Sequence, residues 1–555
     1  MTGRIFHFTG ANYNLSAEGS CSGQFDFGNS KLWVIAHGAD TDRKYIAKRV
    51  SHRFQDNGLA GLRESGDGFV ALIYNRDSGA LICYRSLIHS PAFYWRQSLD
   101  GISLSENIID CAPSVKKPLN IDRSAVAYLF THLAPPARGY FLDISLIPAG
   151  TEVRWTGSEY QTKMEYPRWL ATTTTDVFMD EKAAVEEWKH AFLSMGERYR
   201  AGSYGLMLSG GLDSGAIAGV LSRNVSKPQM HAISWSFPGK PDIDETDYIH
   251  LLCKQLGIKH HLFSVEGALP FDGFDGLPFL PSLPSFNPFR NLINQVYRRA
   301  ADRGVDALLN GHCGDYLYYA KRCELYERLR RRDYMRVISG CLHELKHAPS
   351  QWKHSARLRE LYRRCAGLDP RMLPTQDWAT ESICDELPDK NYGGYNHGRR
   401  DQMQMLIGST KMDEISAEAQ YSEMFGVQRV HPLADKELIS LALRTPAFFL
   451  NKGKCSKWIA RQALKGIVPN ETLVRPRVGL LGDYAQAGWL KNRENVLEYL
   501  FREDRWWSEF VSEKWLIRAS HRRFDGVDGV LITMCLGLEL WRDGWASKGY
   551  TLVLE

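Results

Sequence analysis

The chain has 555 residues, 44% of them hydrophobic and 24% charged, which is enough for two or more domains with large cores. Its net charge of +5 is small for that length and gives no argument for nucleic acid, and no apolar run approaches bilayer length, so no membrane span is expected. Eleven cysteines lie scattered without paired CxxC spacing; this argues against a zinc ribbon or a disulfide framework, and with no basic-then-apolar leader the expected setting is a reducing cytoplasm.

Residues 1–170 alternate short apolar runs with turn residues: Lys31–Ala36, Gly68–Tyr74, Ala80–Tyr84 and Thr151–Trp155. That spacing predicts an antiparallel, sheet-rich unit. A polar joint at Ala171–Thr175 leads into a helix from about Asp180, the expected N-cap, to Tyr199. From there to residue 555 strand and helix patterns alternate at first, as in an open parallel sheet, and become mainly helical after about residue 320.

Within that second unit an apolar run, Tyr204–Leu208, breaks at Ser209-Gly210-Gly211 and passes into a small, apolar helical run ending at Leu221. Two glycines let the backbone approach an anion, and the new helix offers free N–H groups and its positive dipole end. Ser209 and Ser214 add hydroxyls, and Asp213 is a carboxylate suited to Mg²⁺ among phosphates. The lysine and spacing of a Walker-type loop are absent. The segment resembles instead the PP-loop of ATP pyrophosphatases, which split ATP into AMP and pyrophosphate.

The next parallel strand is read at His231–Phe237. Its C-terminal end, with Ser234, is expected beside the nucleotide, because ligands of open α/β sheets collect at that edge. The acids of Asp242–Tyr248 either cap the following helix, which ends at Gly257, or lie near metal and nucleotide. Ala307–Asp315 reads as a strand ending in a glycine-flanked turn that delivers Gly311, His312 and Asp315 to the same edge. Asp213 and Asp315 are then positioned to share one Mg²⁺.

With these segments in order, the chain resembles the asparagine synthetase B superfamily along nearly its whole length. Ser209–Ser214 matches the first signature, Gly311–Asp315 the second, and a third match runs through Val430–Leu438, Gly453–Arg461 and Val474–Gly479. The resemblance implies an α/β protein: an N-terminal glutaminase-like, antiparallel sheet-rich domain (1–170), then a PP-loop synthetase domain (180–555) with a parallel sheet and a helical extension. It implies ATP and Mg²⁺, with Leu208, Ser209, Gly210, Gly211, Asp213, Ser214, Ser234 and Gly311 around the nucleotide and pyrophosphate, and Asp213 and Asp315 on the metal. The C-terminal helical part of relatives supplies cations near an acyl-adenylate, for which Lys457, Arg461 and Arg477 are the candidates. Arg477 stands where the β-lactam synthetase branch carries a lysine.

The N-terminal unit departs from the glutamine-using pattern. Those members carry a cysteine directly after the initiator methionine, whose exposed amine activates the thiol. This chain reads Met1-Thr2-Gly3, and its first cysteine is Cys21. Glutamine hydrolysis is therefore not expected, and the nucleophilic amine should belong to the substrate. Three positions before the second-signature aspartate, β-lactam formers carry tyrosine, asparagine synthetases glutamate, and lasso peptide cyclases histidine; this chain has His312. An imidazole with a reference pKa of about 6.5 is suited to act as base on an ammonium nucleophile. The resemblance thus implies a macrolactam synthetase joining an Asp or Glu side chain of a precursor peptide to the peptide's own N-terminal amine. Its implied partners are the precursor core peptide, a leader-peptide-binding protein and a leader peptidase. A small-molecule amide ligase of the β-lactam or asparagine type is the alternative, and a non-catalytic scaffold the distant one. The dense basic residues between Lys321 and Arg364 fit either solvated helices or a surface facing an acidic peptide or companion protein.

Overall fold

The computed structural model describes residues 5–9, 14–18, 21–37, 40–99, 101–131, 139–157, 159–165, 168–172, 180–199, 202–226, 229–318, 324–347, 355–366, 377–381, 383, 409–452, 455–475 and 481–555. Two antiparallel sheets stack in the N-terminal part. One has six strands in the order Glu159–Met164, Thr151–Thr156, Leu81–Arg85, Phe69–Asn75, Ser30–Ala36, Gly23–Asp26. The other has five, in the order Ser145–Leu146, Tyr94–Ser98, Gly101–Ser105, Ile5–Thr9, Asn14–Glu18. The strict two-residue period of the six-stranded sheet decides what packs where. Trp33, Ile35, Val70, Leu72 and Leu81 turn to one side, against Phe93, Trp95 and Leu104 of the second sheet. The residues between them, Leu32, Val34, Phe69, Ala71 and Ile82, turn to the other, against Ala47, Val50 and Leu62 of the helix Asp40–Arg63. Burial on both faces makes these strands continuous apolar runs in the sequence.

That helix is not among the elements the sequence predicts. It is interrupted at Gly58, whose φ is 57°, and its polar sequence carries a weak apolar stripe. The sandwich is fastened to the rest of the chain by a buried arginine. Arg85 donates to Ser90 Oγ at 3.0 Å, the carbonyl of Ile147 at 2.7 Å and Ser416 Oγ at 2.9 Å, the last on the helix Ser409–Glu423.

The second sheet system is parallel throughout, in the order Lys259–Ser264, Met230–Ser236, Tyr204–Met207, Ala307–Asn310, Gln428–Val430. The expected α/β arrangement is present, and the strands Tyr204–Met207, Met230–Ser236 and Ala307–Asn310 fall where the apolar runs place them, whereas Lys259–Ser264, polar and half-exposed, is not among the strands the sequence predicts. The fifth, only three residues long, is too short to announce itself in a pattern. The helix Glu181–Gly196 begins as expected at Asp180, whose carboxylate accepts from the N–H groups of Lys182 and Ala183. Beyond residue 320 the described residues are mainly helical. Among the described residues no helix is long and apolar enough to cross a membrane.

His37, at the end of the strand Ser30–Ala36, is 8% exposed, and burial, with His89 and Arg43 nearby, pushes its imidazole down to about 3. A depressed histidine stabilises the fold fully above its unfolded pKa of about 6.5, and that stability drains away as pH falls toward the folded value. Between pH 7 and pH 5 the loss from this residue should be about 2 kcal/mol. Urea unfolding at the two pH values should show it, and His37→Gln should flatten the slope.

Candidate active site

The strand Tyr204–Met207 delivers the chain to Ser209, and the turn is made by Gly210 at φ 62°. A Cβ at Gly210 would stand 2.5 Å from Arg475 Nη1, so a side chain there would push that guanidinium out of place. Gly211 then caps the helix Leu212–Leu221 without a side-chain bond, leaving the first-turn N–H groups directed at the loop. Ser214 Oγ, in that first turn, meets Ser209 Oγ at 3.2 Å and accepts from the Ser209 N–H at 3.3 Å. Leu208 is 5% exposed and belongs to the hydrophobic core, so it supports the loop from below.

The turn after Ala307–Asn310 packs directly on the start of that helix. A Cβ on Gly311 would lie 2.6 Å from the Ser214 nitrogen, and one on Gly314 would lie 2.6 Å from the Asp213 carboxyl carbon. Cys313, between them, is held at φ 78°, a conformation that costs a non-glycine residue about 1–2 kcal/mol. Glycine at 311 and 314 is therefore a steric requirement for bringing the two signatures together. Gly314→Ala should displace the Asp213 carboxylate and cut turnover about 10- to 100-fold, since misplacement of about 1 Å has that effect. Steady-state nucleotide turnover, with thermal unfolding as control, measures it.

Asp213 and Asp315 converge on one cation, the Lys457 ammonium. Its Nζ lies 2.6 and 2.8 Å from the Asp213 oxygens and 2.8 Å from Asp315 Oδ1. Lys457 reaches them from a backbone at φ 57°, at the N-cap of the helix Trp458–Ala463. Tyr318 Oη donates to Asp213 Oδ1 at 2.9 Å. Burial raises the Asp213 carboxyl above its ordinary range, with Lys457 and the Tyr318 hydrogen bond opposing it. Asp315 is the wetter of the pair, its side chain 58% exposed.

Arg475, within the third matching stretch but not among the cations expected there, lines the loop from the far side. It donates to the Ser209 carbonyl at 3.3 Å, stacks 3.9 Å over the Tyr248 ring and pairs with Glu245 at 2.7 Å. The acidic segment 242–248 thus serves two ends. Asp244 accepts from Thr246 N–H at the start of the helix Thr246–Leu256, and Glu245 holds Arg475. Arg461 is committed elsewhere: its guanidinium donates to the carbonyls of Ser456, Leu473 and Arg475, fixing the strap that carries Arg475. Arg477 lies outside the described residues. His312, half-buried, follows Asn310 at the sheet edge, its ring 5.3 Å from that of His431.

Two polar groups on the elements that form this edge are orphaned. Ser234 Oγ, 1% exposed, and Arg475 Nε are buried with no hydrogen-bond partner. Among the described residues no group of three or more His, Cys, Asp or Glu side chains could hold a metal by itself. Two carboxylates sharing a cation do fit Mg²⁺, which binds through one or two carboxylates plus substrate phosphates.

Residues 194–503 match the family described as asparagine synthase, more than half of the chain, and the protein belongs to that family. Over 226 residues it is 24% identical to the "Putative asparagine synthetase (glutamine-hydrolyzing) 2" of Methanocaldococcus jannaschii. That match covers 40% of this chain and 42% of the relative, less than half of the relative's length. Among solved structures, the U34-tRNA thiolase NcsA from Methanococcus maripaludis is similar over 44% of this chain and 80% of its own, at 13% identity and a TM-score of 0.18. The glutamine phosphoribosylpyrophosphate amidotransferase of B. subtilis is similar over 56% and 75%, at 8% identity and a TM-score of 0.18. Likenesses that slight carry no argument about function.

Proposed function

We propose that this protein is an ATP-dependent, AMP-forming carbon–nitrogen ligase that closes a macrolactam ring in a precursor peptide, as in lasso peptide biosynthesis. The observation that carries the ligase reading is the convergence of Asp213, Asp315 and Lys457 beside a loop whose helix N-terminus is open to pyrophosphate. In this reading Ser209, Gly210, Gly211 and Ser214 cradle the pyrophosphate, and Ser234 and Arg475 complete the nucleotide pocket. Asp213 and Asp315 would hold Mg²⁺, whose chemistry is to neutralise the leaving pyrophosphate. Lys457 sits beside the same carboxylates, and in this reading either it or Arg477 stabilises the oxyanion that develops when the amine attacks the acyl-adenylate.

His312 supports the macrolactam branch. It takes the proton from the peptide's N-terminal amine as that amine attacks the activated Asp or Glu side chain; the C–N bond forms and AMP leaves. Much of the rate enhancement is positional, since the amine and acyl carbon belong to one molecule. The helix Tyr334–His347 suits a peptide or companion protein: Met335, Ile338, Leu342 and Leu345 are 79%, 55%, 60% and 41% exposed in a basic surrounding. The proposed partners are the core peptide, a leader-peptide-binding protein and a leader peptidase.

Exchange of labelled pyrophosphate into ATP tests the adenylation. It should require Mg²⁺ and a peptide bearing the acceptor Asp or Glu, and should vanish when that residue is amidated to Asn or Gln. Exchange driven by a free amino acid derivative and not by peptide would contradict the macrolactam reading and favour a small-molecule ligase.

A further inference from the structure

Behind His312 stands a second histidine, His431, only 1% exposed, just past the strand Gln428–Val430. Asn310, the last residue of its own strand and 6% exposed, links the two. The His312 backbone N–H donates to Asn310 Oδ1 at 2.9 Å, and His431 Nδ1 lies 2.9 Å from that same oxygen. A backbone N–H can only donate, so the Asn310 atom facing it is the oxygen, and His431 Nδ1 must also donate to it. His431 is thereby fixed as the Nδ1–H tautomer, and its Nε2 becomes a bare acceptor.

That Nε2 is buried with no hydrogen-bond partner. Leaving such an atom unmet costs about 1–3 kcal/mol, so a purely structural residue here would be better apolar. The His312 ring is 5.3 Å away, inclined at 60°. Elsewhere in this chain His231 and His261, with ring centres 5.4 Å apart, bring nitrogens to 3.1 Å. His250 and His260, at 4.9 Å, bring theirs to 3.2 Å. The His312–His431 ring separation falls within the range at which those two pairs hydrogen-bond. Burial, with Arg429, His312, His89 and His37 around it, holds His431 well below the ordinary histidine range, so it is neutral and able to accept.

We propose that Asn310 and His431 are positioning residues that form a relay, Asn310 Oδ1 to His431 Nδ1–H and His431 Nε2 to a ring N–H of His312, which fixes the tautomer of His312 and turns its other nitrogen to the sheet edge. The arrangement has the logic of base and orienter in a nucleophile triad, with a neutral imidazole in place of the usual carboxylate. It goes beyond the proposed function by naming what aims the base, and it rests on that reading only for the consequence to ring closure.

The test separates the two. In full-length protein labelled with ¹⁵N-histidine, the His431 ring should appear as the Nδ1–H tautomer and His312 as one fixed tautomer. In His431→Phe, and independently in Asn310→Ala, the His312 signal should become a mixture of tautomers. His431→Gln, whose side-chain oxygen can accept in place of Nε2, should restore a single tautomer. The His312 tautomer staying unchanged in folded His431→Phe and Asn310→Ala overturns the relay. In kinetics, His431→Phe should slow peptide cyclisation about 10- to 100-fold while pyrophosphate exchange stays at the wild-type rate, and His431→Gln should recover most of the loss. A scrambled His312 with cyclisation unaffected would leave the relay standing and remove His312 from the role of base.

Discussion

Replacing Asp213 by asparagine should lower AMP formation about 1,000-fold, equivalent to about 4 kcal/mol of transition-state stabilisation. The expectation follows from where the carboxylate sits. It occupies the first turn of the helix Leu212–Leu221, receives the Tyr318 hydroxyl at 2.9 Å and holds the Lys457 ammonium at 2.6 Å. Asparagine preserves the shape and the hydrogen bond from tyrosine but removes the charge that a divalent cation and Lys457 both need. The fold should tolerate the change, because burial already works against ionisation of this carboxyl. The melting temperature should therefore move little while turnover collapses. Asp315→Asn should act in the same direction but more weakly, since that side chain is 58% exposed and water can substitute for part of it. Normal AMP release by folded Asp213→Asn would remove the metal and leaving-group assignment.

His312→Ala should divide the reaction in two. Adenylation draws on the loop, Asp213, Asp315 and Lys457, none of which the substitution touches, so pyrophosphate exchange should persist. Amine attack loses its base, and cyclisation should fall about 100- to 10,000-fold, the usual contribution of a positioned general base. A rise in the pH of maximal cyclisation should accompany the loss, because the amine must then deprotonate in bulk solvent. Quenched-flow separation of the exchange and cyclisation rates measures both effects. Equal rates of cyclisation in wild type and His312→Ala would require a different base.

The sequence made the local parts of this site legible and left the long-range parts hidden. Gly210, Gly211, Gly311 and Gly314 stand in short motifs that the sequence displays, although what crowds Gly210, Gly311 and Gly314 lies far along the chain, in Arg475, Ser214 and Asp213. The pairing of Asp213 with Asp315 was also foreseeable, because parallel strands place the ends of the loop and the turn at one edge. Tyr318, Asn310, His431 and Arg475 were not foreseeable as site residues. Their partners lie 105, 121 and 266 positions away, and only the strand order brings them together. The short strand Gln428–Val430 is what carries His431 to the edge, and three residues give no periodicity to read. The helix Asp40–Arg63 escaped for a different reason: it covers a sheet that is apolar on both faces, and so needs only Ala47, Val50, Leu62 and a few partly buried residues. Arg461 shows the opposite error of local reading. Its place in a family motif suggested a cation near the adenylate, whereas its guanidinium is occupied by three backbone carbonyls.

Mass spectrometry of a reaction containing the purified protein, Mg-ATP and a leader-free linear peptide encoded beside its gene tests the central claim most directly. The account predicts a peptide product lighter by one water, with AMP and not ADP formed alongside it in equal amount. AMP without any dehydrated peptide, or ADP in its place, would contradict an adenylating macrolactam synthetase.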